Sequence, residues 1–212
     1  MSADHIGYVF ASQLPPALTT ALRAAGRLTY PLFAYQIAVG FCHTKSAPRY
    51  LARLLLFGLL SQLPYELAFR AAPWKPNVFA TLALSLAALM LMDACRRRRL
   101  LPLGIFLAML LCVRAWRLRC EYLWYGVAAA AVFYLFRRSP WMCFATQLAL
   151  SAVYAFWKDW PLQHLAGFAY ALILLPLLIE DFRYPIIRLN KWIFYGFYPL
   201  HLLVLYGCQF LW

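Results

Sequence analysis

Charged residues, and acids above all, are scarce in this chain. Only 13% of its 212 residues are charged, and Asp and Glu number 7 against 20 Lys and Arg. A soluble domain is about one quarter charged, whereas here 65% of the residues are hydrophobic. This composition excludes an ordinary soluble domain and predicts a membrane protein. The net charge of +13 does not indicate nucleic acid, because arginines between apolar runs set membrane orientation and contact anionic lipids.

The chain also lacks the motifs of several enzyme and metal-site classes. It has no Gly-rich phosphate loop, no nucleophile elbow and no HExxH zinc motif. Its four histidines have no paired spacing, which predicts no metal site. Its six cysteines form no CxxC pair and are interpreted as small buried apolar residues. The first residues are too polar and too short for a cleavable secretory signal.

Apolar runs separated by basic turns predict an all-α fold, a polytopic transmembrane helical bundle. We expect roughly eight to nine apolar segments, several of them shorter than the ~20 residues that cross ~30 Å of hydrocarbon. Their positions are 6–14, 28–42, 50–69, 78–94, 100–113, 121–136, 140–157, 163–179 and 192–212. The whole chain, residues 1–212, is interpreted as a single integral membrane domain.

Lysine and arginine are unevenly divided between the two ends of the predicted bundle. The richer side has Lys45, Arg49, Arg53, Arg96, Arg97, Arg98, Arg99, Arg137, Arg138, Arg183, Arg188 and Lys191; the other has Arg23, Arg27, Arg70, Lys75, Arg114, Arg117, Arg119 and Lys158. The positive-inside rule then places the loop at 96–99 in the cytoplasm and the C-terminus outside. The loop at 114–119 fits this orientation worst.

Two histidines lie in or beside apolar segments and are the first candidates for chemistry. An ionisable group at membrane depth costs several kcal/mol unless it is paired or hydrated, so it indicates a functional site. Asp4 can orient His5 and raise its basicity, as in an oriented general base. Taken alone, this pair is more often a solvated N-terminus. His201 shares one helical stripe with Tyr195 and Tyr198, where a histidine is more often simply packed.

Two further groups of polar residues interrupt apolar segments. Arg27, at the mouth of a span, can clamp a phosphate or carboxylate, or it can snorkel to the interface. Gln62, Tyr65 and Glu66 share one helical face. A carboxylate there should face protein or water rather than lipid. Glu66 therefore either belongs to a site or pairs at the interface with Arg70.

A series of short motifs runs along most of the chain. They are residues 4–7 (DHIG), 26–34 (GRLTYPLFA), 40–44 (GFCHT), 50–57 (YLARLLLF), 61–68 (SQLPYELA), 77–79 (NVF) and 197–202 (FYPLHL). The order of these motifs and the residues within them resemble those of the TraX family, the pilin-acetylation proteins of conjugation systems. That family looks like a branch of the multi-pass membrane acyltransferases of the acyltransferase-3 type.

The resemblance implies an acetyl-CoA-dependent N-acetyltransferase embedded in the bacterial inner membrane. It would transfer acetyl to the N-terminal amine of a pilin subunit, with pilin and membrane lipids as partners and no metal. Carried over, the catalytic histidine falls on His5; Asp4 would orient it, and His201 would line the cavity from the opposite side. The first arginine falls on Arg27 and the second, with a weaker match, on Arg53. The other expected substrate or cofactor contacts are Gln62, Tyr65, Glu66, Asn77 and Tyr198.

The start of the chain departs from the family pattern. Family members usually carry an apolar stretch before the Asp-His pair, whereas this chain opens on residues 1–3 (MSA). We therefore expect either that the start codon is assigned too late or that the first span is truncated here.

Two other functions remain open on the sequence. An O-acetyltransferase acting on an envelope sugar or lipid would use the same residues, because a hydroxyl needs a base more than an amine does. A small transporter or assembly factor without chemistry would line a permeation path with its polar residues. If the protein is an enzyme, we expect four side chains to meet at one polar cavity: His5, Arg27, Glu66 and His201.

Overall fold

The computed structural model describes residues 1–27, 29–71, 75–158 and 191–210. Over these ranges the chain forms nine α-helices and no strand: α1 Ser2–Val9, α2 Pro16–Arg27, α3 Thr29–His43, α4 Ala47–Phe69, α5 Val78–Arg97, α6 Leu101–Arg117, α7 Leu123–Phe136, α8 Pro140–Trp157 and α9 Lys191–Cys208. The predicted all-α class is confirmed. The predicted span at 163–179 lies outside the described residues.

Local sequence accounts for the limits of the two long helices α4 and α5. The Ser46 side chain accepts a hydrogen bond from the Arg49 N–H at the start of α4, as an N-cap does. Arg70 ends α4 in the left-handed conformation, with φ 49°. Asn77 starts α5, because its Oδ1 accepts the Phe79 N–H at 3.0 Å. The end of α4 and the start of α5 therefore lie at the same end of the bundle.

The α5 helix forms the centre of the bundle. It packs against α3, α4, α6 and α7, and its Leu86, Ala88 and Leu89 are fully buried. The α4 helix also packs against α9, and α1 contacts both α2 and α9. The first and last described helices, which carry His5 and His201, are therefore neighbours.

The α7 helix approaches α3 and α5 closely at Gly126. A Cβ at this position would lie 2.3 Å from Thr81 Cγ2 and 2.4 Å from the Tyr30 hydroxyl, so only glycine fits. The Ser85 hydroxyl also donates to the carbonyls of Thr81 and Gly126, at 2.8 and 3.2 Å. This close contact fixes the start of α7 and, with it, the loop between α6 and α7.

One described helix, α5, is long and apolar enough to cross a membrane by length and composition, and 56% of its most apolar stretch is buried inside the protein. The α7 helix is apolar but shorter. A buried central helix of a soluble protein has the same properties. The multi-pass arrangement therefore stays a prediction.

The α2 helix is not marked by any apolar run in the sequence. Its 12 residues, PALTTALRAAGR, keep their apolar side chains on one face, so the helix is amphipathic rather than apolar throughout. It packs against α1 at a very close approach, where a Cβ on Gly26 would lie 2.1 Å from the Asp4 Cβ. This contact places the cavity-facing residues of α1 and α2 side by side.

We expect Gly26→Ala to lower stability and Gly196→Ala to raise it. A Cβ on Gly196 meets nothing within 4 Å, and alanine in a helix interior is better than glycine by about 0.5–1 kcal/mol. At Gly26 the steric overlap should outweigh this gain, because overpacking costs about 1–3 kcal/mol. Thermal unfolding followed by circular dichroism measures both variants. A Gly26→Ala midpoint equal to that of Gly196→Ala would contradict the close α1–α2 contact.

Candidate functional site

A cavity of about 990 Å³ opens at the end of the bundle where α2, α4, α6 and α8 terminate. Side chains from α1 to α4, the segment before α5, the α6–α7 loop and the end of α8 line it. Of the predicted site residues, Asp4, His5, Arg27 and Tyr65 lie in its wall. The volume lies at the upper end of the ~300–1,000 Å³ typical of ligand sites, so the cavity suits a large ligand.

His5 and His201 are joined by a direct hydrogen bond although 196 positions separate them. His5 Nδ1 and His201 Nε2 lie 2.8 Å apart, and the two ring planes are within 11° of parallel. The other nitrogen of His201, Nδ1, lies 2.9 Å from the Phe197 carbonyl oxygen. The two histidines therefore meet, and of the pair it is His5 that is among the residues lining the cavity.

The hydrogen-bond chain fixes the tautomers of both rings when they are neutral. A carbonyl oxygen only accepts, so His201 Nδ1 must donate to Phe197 and His201 Nε2 must accept. His5 Nδ1 then donates to His201, which leaves the lone pair of His5 on Nε2. Burial lowers the pKa of His5 to about 3, and positive charge on His201 adds to this effect. His5 therefore rests in its neutral form, with Nε2 unprotonated.

Asp4 does not orient His5, contrary to the sequence expectation. Its carboxylate pairs instead with Arg23, Oδ1 to Nη1 at 3.3 Å. The physical reason is the helix geometry of α1, in which consecutive side chains point in different directions. The group that orients His5 is His201, and Asp4 holds α2 against α1.

The wall of the cavity is strongly cationic. Its basic lining residues are Arg23, Arg27, Arg70, Lys75, Arg117, Arg119 and Lys158. Arg27 is only 8% exposed, whereas Arg117 and Arg119 are exposed at the mouth. Like charges lining a concave, low-dielectric wall concentrate the field. The cavity therefore favours an anionic ligand, and its arginines can bind phosphate in two-point fashion.

Glu121 is a carboxylate in this cationic wall that sequence reasoning missed. It lies in the α6–α7 loop and lines the cavity. Its backbone carbonyl accepts the Thr81 hydroxyl of α5 at 2.6 Å. Its signal in the sequence is weak: one acid follows three arginines in the stretch 114–121. Its position depends on the loop path, which that pattern does not give.

Glu121 is more readily protonated than an acidic side chain on the protein surface. Burial raises the pKa of Glu121 to about 7. A hydrogen bond from Tyr65 and the charges of Lys75 and Arg27 lower this pKa, and the charge of Asp4 raises it. A group with a pKa near the working pH can both accept and release a proton.

Tyr198 is buried at the histidine pair, and Tyr65 is buried against Phe69, its ring centroid 5.2 Å away. Each is 2% exposed, and Tyr65 also lines the cavity. The Tyr198 ring packs edge-on to His5 and His201, at centroid distances of 6.2 and 5.4 Å. Phe69 packs edge-on to His5 from the other direction, at 4.8 Å. These aromatic rings restrict the orientation of His5.

Gln62, Glu66 and Asn77 are not among the residues that line the cavity, so the expected place of Glu66 beside His5 and Arg27 there is wrong. The Gln62 amide donates to Glu66 Oε1 and to the Lys75 carbonyl, each at 2.9 Å. The Asn77 amide donates to the Gly58 carbonyl at 2.7 Å and to Gln62 Oε1 at 3.1 Å. These bonds satisfy polar groups where α5 begins against α4. The cluster therefore fastens two helices together.

Arg53 also lies away from the cavity. It precedes Tyr65 by twelve residues in α4, so it is about 18 Å further along the helix axis at 1.5 Å per residue. Its guanidinium lies over the Tyr50 ring, 5.5 Å from the centroid. Arg53 therefore does not join Asp4, His5, Arg27 and Tyr65 in the cavity wall.

No group of three or more His, Cys, Asp or Glu that could hold a metal ion is found in the described ranges. The cysteines are free and dispersed, and Cys120 is the one that lines the cavity.

Comparison with known proteins identifies relatives of this chain. Residues 1–209 match the family described as TraX protein. The chain is also 39% identical over 101 residues to a Dichelobacter nodosus protein named "Probable fimbrial assembly protein FimC, serogroup H1". The aligned stretch covers 43% of this chain and 41% of that relative, less than half of either. No solved structure matches the chain.

Proposed function

Because the chain belongs to the TraX family, we propose that it is a membrane-embedded acetyltransferase that moves an acetyl group from acetyl-CoA to the N-terminal amine of a pilin subunit. The family and the similarity to a fimbrial assembly protein support a pilus-related function. The chemistry is supported by one observation above all. His5 is held in the wall of a cationic cavity by His201, with its Nε2 lone pair left for proton transfer.

His5 acts as the general base in the proposed reaction. An α-amine has a pKa of ~7.7–8.0, so part of it is already neutral near pH 7. The remaining task is removal of a proton as the amine attacks the thioester, and His5 Nε2 accepts it. The resulting imidazolium donates a charge-assisted, stronger hydrogen bond to His201. His201 thereby stabilises the charged form that appears only during the reaction.

The basic residues divide into two groups by burial. Arg27 is buried in the wall of the cavity that His5 also lines, where a cationic donor stabilises the oxyanion of the tetrahedral intermediate. Arg117 and Arg119 are exposed at the mouth, where they suit the phosphates of coenzyme A. The size of the cavity and its charge both agree with a ligand that is large and anionic at one end.

Membrane embedding is part of the proposal. The α5 helix has the length and composition of a span. Large apolar side chains are exposed on other helices, with Leu59 at 77%, Leu63 at 64% and Phe156 at 90%. Exposed apolar surface of this extent indicates contact with lipid or another protein. We propose a multi-pass protein of the bacterial inner membrane, in contact with its lipids.

Transfer of labelled acetyl tests the proposed function. The purified protein is incubated with isotopically labelled acetyl-CoA and a mature pilin, and the pilin N-terminus is analysed by mass spectrometry. We expect one labelled acetyl group on the N-terminal amine and none on pilin whose amine is already formylated. Binding of acetyl-CoA without turnover would instead support a transporter or assembly factor. Label on an envelope sugar or lipid would support O-acetylation.

A further inference from the structure

The carboxylate of Glu121 stands out in a wall that otherwise selects for anions. Asp4 is the other acid that lines the cavity, and it is paired with Arg23. Two ion pairs join described residues, Asp4–Arg23 and Asp93–Arg97, and Glu121 takes part in neither. Its carboxylate accepts a hydrogen bond from Tyr65. A carboxylate that served only to neutralise the wall would be expected to pair with one of the surrounding cations.

The loop around Glu121 is held in an unusual conformation. Arg119, Tyr122 and Leu123 all have positive φ, at 53°, 60° and 48°. Such residues cost about 1–3 kcal/mol each and persist where the surrounding structure imposes them, commonly at functional sites. Here the Tyr122 ring stacks on Tyr30 at 3.9 Å, and Thr81 binds the Glu121 carbonyl. Packing and hydrogen bonding thus hold the Glu121 side chain at the cavity.

We propose that Glu121 binds the ammonium group of the acceptor and takes its first proton. This inference rests on the proposed function and deepens it, because it names the side chain that binds the acceptor amine. A carboxylate attracts an ammonium ion, whereas a neutral hydroxyl gains much less from it. The cavity then has a cationic region for the donor and one anionic position for the acceptor.

The proton balance of the step follows from these positions. Glu121 takes one proton from the ammonium, and the neutral amine forms a bond to the acetyl carbonyl carbon. His5 Nε2 takes the second proton, the carbon–sulfur bond breaks, and His5 returns that proton to the departing thiolate. The products are the amide, the coenzyme A thiol and one proton on Glu121, which is released to water.

A binding experiment tests Glu121 without requiring turnover. The probe is a short alanine peptide with a free N-terminal amine and a fluorophore at its C-terminus. The matched probe carries a hydroxyl in place of that amine. We expect the full-length protein to bind the amine probe at least tenfold more tightly than the hydroxyl probe. Glu121→Gln should abolish this preference, Glu121→Asp should keep part of it, and Asp93→Asn, a carboxylate distant from the cavity, should keep all of it.

The outcomes separate this inference from the proposed function. An amine preference that survives Glu121→Gln in the folded protein would overturn the role of Glu121. If the amine preference depends on Glu121 but wild type transfers no acetyl group, the inference holds and the proposed function fails. Should Glu121→Gln fold poorly, as judged by gel filtration, Glu121→Asp decides the result. Loss of the preference in Glu121→Asp together with loss of acetyl-CoA binding would show a purely structural role and overturn the inference.

The pH dependence of amine binding gives a second readout. Burial raises the pKa of Glu121 to about 7, against the opposing effects of Tyr65, Lys75 and Arg27 and with the added effect of Asp4. Below pH 7 Glu121 takes up a proton and loses its charge, so the Kd for the amine probe should rise tenfold per pH unit. In Glu121→Gln the Kd should stay constant over the same range. An identical acid-side rise in both proteins would contradict the assignment.

Discussion

Replacing His5 with alanine should lower kcat by roughly 10²–10⁴-fold, the usual contribution of a positioned general base. The KM for acetyl-CoA should change little, because the base acts in the transition state and not in donor binding. Steady-state acetylation of pilin with labelled acetyl-CoA measures both constants. The effect should be large because His5 is the one histidine among the described residues that line the cavity.

His201 should behave as a positioning residue behind His5. His201→Leu removes the group that accepts from His5 Nδ1 and should lower kcat, by less than His5→Ala does. His201→Gln offers a carbonyl oxygen that can accept the same hydrogen bond, so it should recover part of the loss. A merely structural histidine would give equal losses for Leu and Gln.

His43→Ala is the matched control for the histidine variants. His43 is exposed at the end of α3, away from the cavity, and its replacement should leave kcat unchanged. Wild-type kcat in His5→Ala would remove His5 from the mechanism. An equal loss in His43→Ala would show that the assay reports general destabilisation instead.

The residues of the histidine pair could be predicted from the sequence, but their partners could not. An ionisable group in an apolar segment needs a polar partner or water, which is why His5 and His201 stand out. Adjacency suggested Asp4 as the partner of His5. The partner that the fold supplies is His201, because α9 packs beside α1 and Asp4 faces α2. Spacing along the chain identifies the groups that need partners, while helix packing decides which partners they receive.

The difference between spacing along the chain and helix packing also explains why some residues were wrongly predicted to lie at the cavity. Gln62, Glu66 and Tyr65 share a helical face by spacing, yet Tyr65 lines the cavity and the other two do not. The helical face is wide enough for one edge to reach the cavity and the other to reach the start of α5. Glu121 was missed for the opposite reason, since its position depends on three left-handed residues in a loop that carries no recognisable turn motif.

The positive-charge count used to predict membrane orientation also has a different explanation. Seven of the eight Lys and Arg on the less basic side line the cavity; Arg114 is the exception. The cationic cavity wall therefore accounts for these seven side chains as well as topology does. The poor fit of the loop at 114–119 to the positive-inside rule follows, because Arg117 and Arg119 belong to the cavity mouth. The number of Lys and Arg residues on each side is therefore weak support for the predicted membrane orientation.

Replacing Arg27 should be far more damaging than replacing Arg53, although the sequence proposes both. Arg27→Ala should lower kcat by roughly 10²–10³-fold, the typical cost of losing one oxyanion donor. Arg53→Ala should stay within twofold of wild type, since Arg53 lies over Tyr50 and outside the cavity. Arg27→Lys keeps the charge at a similar volume and controls for loss of packing. Steady-state kinetics with varied acetyl-CoA measures all three variants.

The division of effects between kcat and KM decides the role of each arginine. A group that contacts only the transition state lowers kcat, whereas one that binds the donor uniformly raises KM. Arg119→Ala should therefore raise the KM for acetyl-CoA with kcat unchanged, because this arginine is exposed at the mouth. Arg27→Ala should do the reverse. If Arg27→Ala raised KM alone, Arg27 would be a phosphate ligand and the oxyanion would need another donor. Tyr198, buried against both histidines, is the side chain to which that role would pass.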